Sequence, residues 1–167
     1  MENIAVYAGS FDPVTLGHTW VIEQGTRLFD KLIVAVGINP EKHSNFPIDE
    51  RIALLKEATS ECGNIEVTHY SNKFLIKYAE EVGARYILRG IRNPTDYEYE
   101  KTWRYVNSDL NPSITTVFLI PPRDIAEISS SVIRGLVGPT GWEDVVRKYV
   151  PECVLIQLKK MHESGRF

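Results

Sequence analysis

The stretch IAVYAGSFDPVTLGH, Ile4 to His18, decides how the rest of the chain reads. It passes from an apolar, strand-like segment through a turn punctuated by Gly9, Pro13 and Gly17 into a helix with His18 in its first turn. Such a strand–turn–helix suits phosphate, because the first N–H groups of a helix are unpaired and its dipole is positive there. The turn has neither the G-x-G-x-x-G spacing of a dinucleotide fold nor the lysine of a P-loop. The residues by themselves allow two readings: a phosphate turn that includes a histidine, or a glycine-shaped turn followed by a half-exposed histidine at a helix start.

Outward from this turn, β-branched apolar runs alternate with amphipathic segments. Strands are expected at Ile4 to Gly9, Lys31 to Ile38, Ile65 to Tyr70, Arg85 to Arg89 and Thr115 to Ile120, each nearly continuous in apolar residues, as strands covered on both faces are. Helices are expected at Gly17 to Phe29, Asp49 to Ser60 with Asp49 as N-cap, Asn72 to Val82 with Gly83 as the stop, and Thr95 to Leu110. A helical tail follows at Ser129 to Val137, Trp142 to Tyr149 and Pro151 to Glu163, the last opened by a proline in its first turn. Strand–helix alternation implies right-handed crossovers. The expectation is therefore an α/β chain, a single-domain Rossmann-like fold over 1–167. It has a five-stranded parallel sheet in the order 3-2-1-4-5, helices on both faces and a helical C-terminal tail.

Composition narrows the function. With 167 residues, 43% hydrophobic and 25% charged, the chain is of one-domain length and ordinary for a globular protein. Its formal net charge of -3 gives no global basic field, which argues against nucleic acid as a partner. Cys62 and Cys153 fall in no metal-ligand or C-x-x-C spacing. Glu2 stands where a signal peptide would be basic, and no apolar stretch approaches membrane-spanning length, so a cytoplasmic protein with no membrane partner is expected.

In a 3-2-1-4-5 sheet, ligands bind past the carboxyl ends of the strands where the order reverses, between strands 1 and 4. Past strand 4 comes RGIRNP, Arg89 to Pro94. Arg89 and Arg92 could fork phosphate oxygens or pair with the acidic helix Asp96-Tyr97-Glu98-Tyr99-Glu100. On that helix Tyr99, Trp103, Val106 and Leu110 recur at helical spacing, which favours core, and Glu100 lies one turn from Arg104, a ready ion pair. Past strand 2 the loop Asn39 to Asn45 carries Lys42 and His43. Past strand 5, Ile128 is followed by Ser129, Ser130 and Ser131, where one serine suffices for an N-cap and three supply hydroxyls and helix N–H groups together. No nucleophile elbow, Cys–His pairing or H-E-x-x-H motif is present. The inventory is a phosphate site without a protein nucleophile or base, which suits displacement at a phosphoryl centre.

Thr15-Leu16-Gly17-His18 resembles the T/H-x-G-H signature of the nucleotidyltransferase superfamily, and ISSSVIR, Ile128 to Arg134, resembles its second signature. Within that superfamily the chain resembles the bacterial phosphopantetheine adenylyltransferase family over nearly its whole length. Thr15, the R-G-I-R segment at Arg89 to Arg92 and the D-Y-E-Y-E segment at Asp96 to Glu100 are its specific marks. Other families on this scaffold, the nicotinate mononucleotide adenylyltransferases and the cytidylyltransferases, usually carry histidine where this chain has Thr15.

The resemblance implies transfer of AMP from ATP to 4′-phosphopantetheine with magnesium carried on the nucleotide, in a cytoplasmic homohexamer built as a dimer of trimers. It implies that His18, Lys42 and Arg89 are catalytic, with His18 steadying the α-phosphate in the transition state. Ser10, Lys42, Leu75 and Arg89 would bind phosphopantetheine. Ser10, Phe11, His18, Gly90, Ile91, Arg92 and Glu100 would bind ATP together with Ile125, Ala126, Glu127, Ile128, Ser129, Ser130 and Ser131, and no protein side chain would hold the metal.

Overall fold

Strands β1 (Ile4–Gly9), β2 (Lys31–Ile38), β3 (Ile65–Ser71), β4 (Tyr86–Gly90) and β5 (Thr115–Leu119) form one parallel sheet in the order β3-β2-β1-β4-β5. The structure is a computed structural model that describes residues 2–38 and 44–166. The central strand is β1, where Val6 lies opposite Ile33 on one side and Ile87 on the other. The helices are α1 (Leu16–Leu28), α2 (Ile48–Ala58), α3 (Leu75–Glu81), α4 (Pro94–Leu110), α5 (Arg123–Ala126), α6 (Ser130–Leu136), α7 (Trp142–Val146) and α8 (Glu152–Glu163).

The two-residue period of the strands divides their apolar side chains between two cores. Tyr7, Leu32, Val34 and Leu88 pack with Ile22 of α1, Leu55 of α2 and Leu155 and Leu158 of α8. Val6, Ala8, Ile33 and Ile87 pack on the other side with Ile76 and Ala79 of α3. Burial on both faces is why these strands read as continuous apolar runs rather than alternating ones. The expected Rossmann-like architecture is the one observed, with the carboxyl ends of β1 and β4 side by side.

Several local expectations are corrected. The N-cap of α2 is Pro47, in extended geometry, and Asp49 sits in the first turn, where its charge favours the positive helix end. Helix α3 begins at Leu75 rather than Asn72, because Asn72 takes φ +55, a left-handed conformation through which a helix does not propagate. Gly83 ends that helix as expected: it follows the C-cap Val82 with φ +70, a value glycine adopts without cost. Helix α7 stops at Val146 rather than Tyr149, and Pro151 is the N-cap of α8 rather than its first residue. Helix α5 was not expected; its single turn is too short to show a helical period.

The largest correction concerns α4. The Tyr99, Trp103, Val106 and Leu110 stripe is not core: these side chains are 59%, 41%, 38% and 43% exposed, while the residues α4 buries are Glu100 and Asn107. The helix turns a carboxylate inward because an arginine at the end of β4 meets it there.

Candidate active site

The turn after β1 enters α1 through Thr15 as N-cap. The Thr15 backbone N–H donates to His18 Nδ1 at 3.0 Å, and the Thr15 hydroxyl lies 3.1 Å from the same nitrogen. A backbone amide can only donate, so His18 Nδ1 is an acceptor and the proton of the neutral imidazole sits on Nε2. Burial, together with the positive charges of Arg92 and Arg89, pushes the His18 pKa down to about 4. At neutral pH His18 is therefore an uncharged Nε2–H donor on the cleft wall. Its ring stands edge-to-face on Phe11, centroids 5.1 Å apart, and Phe11 stands likewise on Tyr7 at 5.5 Å.

This state predicts that His18 keeps its Nε2–H tautomer on acidification to about pH 5, well below the ordinary histidine midpoint, as imidazole nitrogen and carbon shifts in an NMR titration will report. Because the folded pKa lies below the unfolded one, the group stabilises the fold above about pH 6.5, and that contribution is lost as the pH falls towards 4.

Arg89, next to last in β4 and beside β1, donates from its Nη1 to the Ala8 carbonyl at 2.5 Å. Its Nε donates to Glu100 Oε2 at 2.8 Å and its Nη2 to Glu100 Oε1. Burial works against the Arg89 charge, but the hydrogen bonds and negative charge of Glu100 outweigh it and hold the pKa above its ordinary value. Among the described residues three of its five N–H groups are thus spent within the protein, and one on each terminal nitrogen is left for a ligand oxygen. Arg92 pairs in the same two-pronged way with Asp96, Nε to Oδ2 at 2.7 Å and Nη2 to Oδ1 at 3.1 Å. Both readings of the RGIR segment therefore hold together: each arginine is paired with the acidic helix, and both line the cleft. Glu100 pairs with Arg89 and not with Arg104, as its position along the helix had suggested.

The serine segment also lines the cleft. Ser129 is the N-cap of α6, accepting from Val132 N–H at 3.2 Å. Ser130 Oγ donates to the Pro13 carbonyl at 2.8 Å, tying this segment to the first turn, and Ser131 Oγ accepts from Arg134 Nη2 at 3.2 Å.

Together these groups line a cleft of about 690 Å³ at the switch point of the sheet. The cleft brings together Ser10, His18, Arg89, Gly90, Arg92, Glu100, Ile128, Ser129, Ser130 and Ser131 of the residues singled out from sequence. Phe11, Ile91 and Ala126 lie in the interior, 1%, 6% and 5% exposed, and neither their side chains nor those of Ile125, Glu127 and Leu75 are on the cleft wall. Leu75 packs on the core beneath α3. At Gly9 a Cβ would stand 3.1 Å from the Phe11 ring, so any side chain there would press on that ring. Lys42 lies outside the described residues.

The sequence reading missed Tyr7, Gly37, Tyr70 and Lys73 on the cleft wall, and gave no site role to Thr15, Asn72, Asp96 and Tyr99, which also lie there. Tyr7 was hidden inside an apolar strand, although a phenol at a strand end beside the turn was a usable signal. Burial raises its pKa, so its hydroxyl is a proton donor. Among the described residues no group of three or more His, Cys, Asp and Glu side chains could hold a metal ion, and no helix is long and apolar enough to cross a membrane.

Residues 6–136 match the family model described as cytidylyltransferase-like. The chain is 58% identical over 160 residues to a phosphopantetheine adenylyltransferase of Chromobacterium violaceum, covering 96% of this chain and 98% of that one. It is 52% identical to the phosphopantetheine adenylyltransferase of Neisseria meningitidis, covering 95% and 94% of the two chains. Its fold superposes on a nicotinic acid mononucleotide adenylyltransferase of Plasmodium falciparum with a TM-score of 0.69 at 16% identity, over 97% of this chain and 96% of that one.

Proposed function

The chain belongs to the phosphopantetheine adenylyltransferase family and is a nucleotidyltransferase of coenzyme A biosynthesis, and on that premise we propose that it transfers the adenylyl group of ATP to 4′-phosphopantetheine by direct in-line attack. A phosphate oxygen of the acceptor forms the new bond to the α-phosphorus as the bond to pyrophosphate breaks, with no protein nucleophile. The observation that carries this reading is His18: neutral, its Nε2–H fixed by Thr15, and lining the same cleft as an arginine with unspent donors. A fixed donor aimed where charge develops stabilises the transition state without reorganising. A neutral donor also leaves the anionic acceptor free to attack.

Arg89 and Ser10 hold the acceptor phosphate in this reading, with Lys42 completing the set, and Arg92, Gly90 and the Ser129 to Ser131 wall hold ATP. Phe11, Ile91 and Ala126 serve ATP through their backbone, since their side chains are interior. Magnesium arrives with the nucleotide and neutralises phosphate charge. The carboxylates on the cleft wall, Asp96 and Glu100, are each bound to an arginine, which fits a metal held by phosphate oxygens. We place the enzyme in the cytoplasm as a homohexamer of two trimers. The exposed Tyr99, Trp103 and Leu110 face of α4 supports a partner subunit, and sedimentation analysis gives the assembly mass.

A pyrophosphate-release assay with ATP and magnesium, offering 4′-phosphopantetheine, nicotinate mononucleotide and glycerol phosphate in parallel, tests the assignment. Turnover is expected with phosphopantetheine. Turnover only with another acceptor overturns it.

A further inference from the structure

The interior holds one arginine whose presence the reaction chemistry leaves unexplained. Arg51, in the first turns of α2, is 4% exposed, its Nη1 donates to the Ser10 carbonyl at 2.9 Å, and its buried Nε has no acceptor among the described residues. A guanidinium in such a place costs more than an apolar side chain of similar length, which would fill the space without desolvation. Burial works against the Arg51 charge, and what offsets it is the negative charge of Asp12 together with the bond to the Ser10 carbonyl, so Arg51 belongs to the same cluster that holds this turn.

The turn around Ser10 is held from other sides as well. The buried Asp12 carboxylate accepts the Asn45 N–H at 3.0 Å and the Phe46 N–H at 2.8 Å, just before α2. Arg134 of α6 donates to the Asp12 carbonyl and lies 3.5 Å from its carboxylate. Between the two carbonyls so held sits Phe11 with φ +47, a conformation that a non-glycine residue keeps only when its surroundings impose it. The backbone on both sides of Phe11 is thus fixed by cations, one from α2 and one from α6.

We infer that Arg51 is a positioning residue for the transferase reaction: with Asp12 and Arg134 it fixes the Ser10 backbone against α2 and α6, so that the Ser10 hydroxyl is presented to the substrate phosphate. The inference rests on the reading of Ser10 as a phosphate ligand. An arginine serves because a buried carbonyl at a left-handed turn has no strand or helix partner to accept from, and a long donor reaches it from a neighbouring helix.

The test is a double-mutant cycle of Arg51→Met and Ser10→Ala, read as kcat/KM for 4′-phosphopantetheine beside thermal melting. Arg51→Met is expected to melt no lower than the parent by more than a few degrees, since it removes an orphaned buried donor, and to lose about 10-fold or more in kcat/KM. In the Ser10→Ala background the same substitution is expected to cost less than about 3-fold, because the group it positions is gone. Full additivity overturns the inference, as does a lower melting temperature with unchanged kcat/KM. If Ser10→Ala alone is silent, the phosphate role of Ser10 fails and takes the inference with it. Should Arg51→Met not fold, Arg51→Gln, which removes the charge and shortens the donor, goes through the same cycle under the same criteria.

Discussion

His18→Ala lowers kcat by about 10²-fold or more while KM for ATP and for phosphopantetheine moves far less, as steady-state kinetics will show. The split follows from the geometry. With Nδ1 committed to the Thr15 amide, the ring has one group to offer, and a neutral N–H bonds weakly to the ground-state phosphate but strongly to the charge that builds during displacement. The size follows from measured losses of single preorganised donors, which cost about 3 to 4 kcal/mol. His18→Gln, whose amide N–H can reach part of the way, recovers some of the rate. A change confined to KM would reduce His18 to a binding group.

Arg89→Met has the second large effect, and it falls on two measurements at once. Activity drops by about 10²-fold in kcat/KM through loss of a charged phosphate donor. The melting temperature also drops, because Glu100, 8% exposed, is left as a buried carboxylate without its cation, at a cost of about 3 to 5 kcal/mol. The two effects separate in the double variant Arg89→Met/Glu100→Gln, which removes the orphaned charge. Stability returns in large part and activity does not. Recovery of both together would show that Arg89 acts only through the fold.

The sheet order was legible because strands buried on two faces leave continuous β-branched runs, and the site was legible because strand ends at the switch point carry chemistry unlike the strands themselves. Helix starts were less so. Asp49 is a good capping residue in isolation, yet Pro47 already supplies the extended entry that a cap needs. Asn72 takes the left-handed conformation that delays α3 to Leu75, a tendency of asparagine that was outweighed by the helical pattern following it. The partner of Glu100 was missed because local spacing points to Arg104, whereas the fold brings Arg89 from the neighbouring strand. The α4 stripe was misread for the same reason: periodicity shows that a helix has two faces, and a buried ion pair decides which one turns inward.

The backbone N–H of Leu16, which opens α1 two residues before His18, donates to the carbonyl of Tyr149 at 2.8 Å. The segment that carries none of the singled-out site residues therefore supplies the acceptor that completes the start of the helix carrying His18. During synthesis the ribosome makes His18 early and Tyr149 late, so a nascent chain holds nearly every reactive group long before it can set them in place. An amino-terminal fragment ending short of Tyr149 keeps every one of the proposed ligands and still lacks the contact that orders their first turn. An ordered start to α1 is thus expected only once Tyr149 has been made, after all of the proposed ligands and not with them.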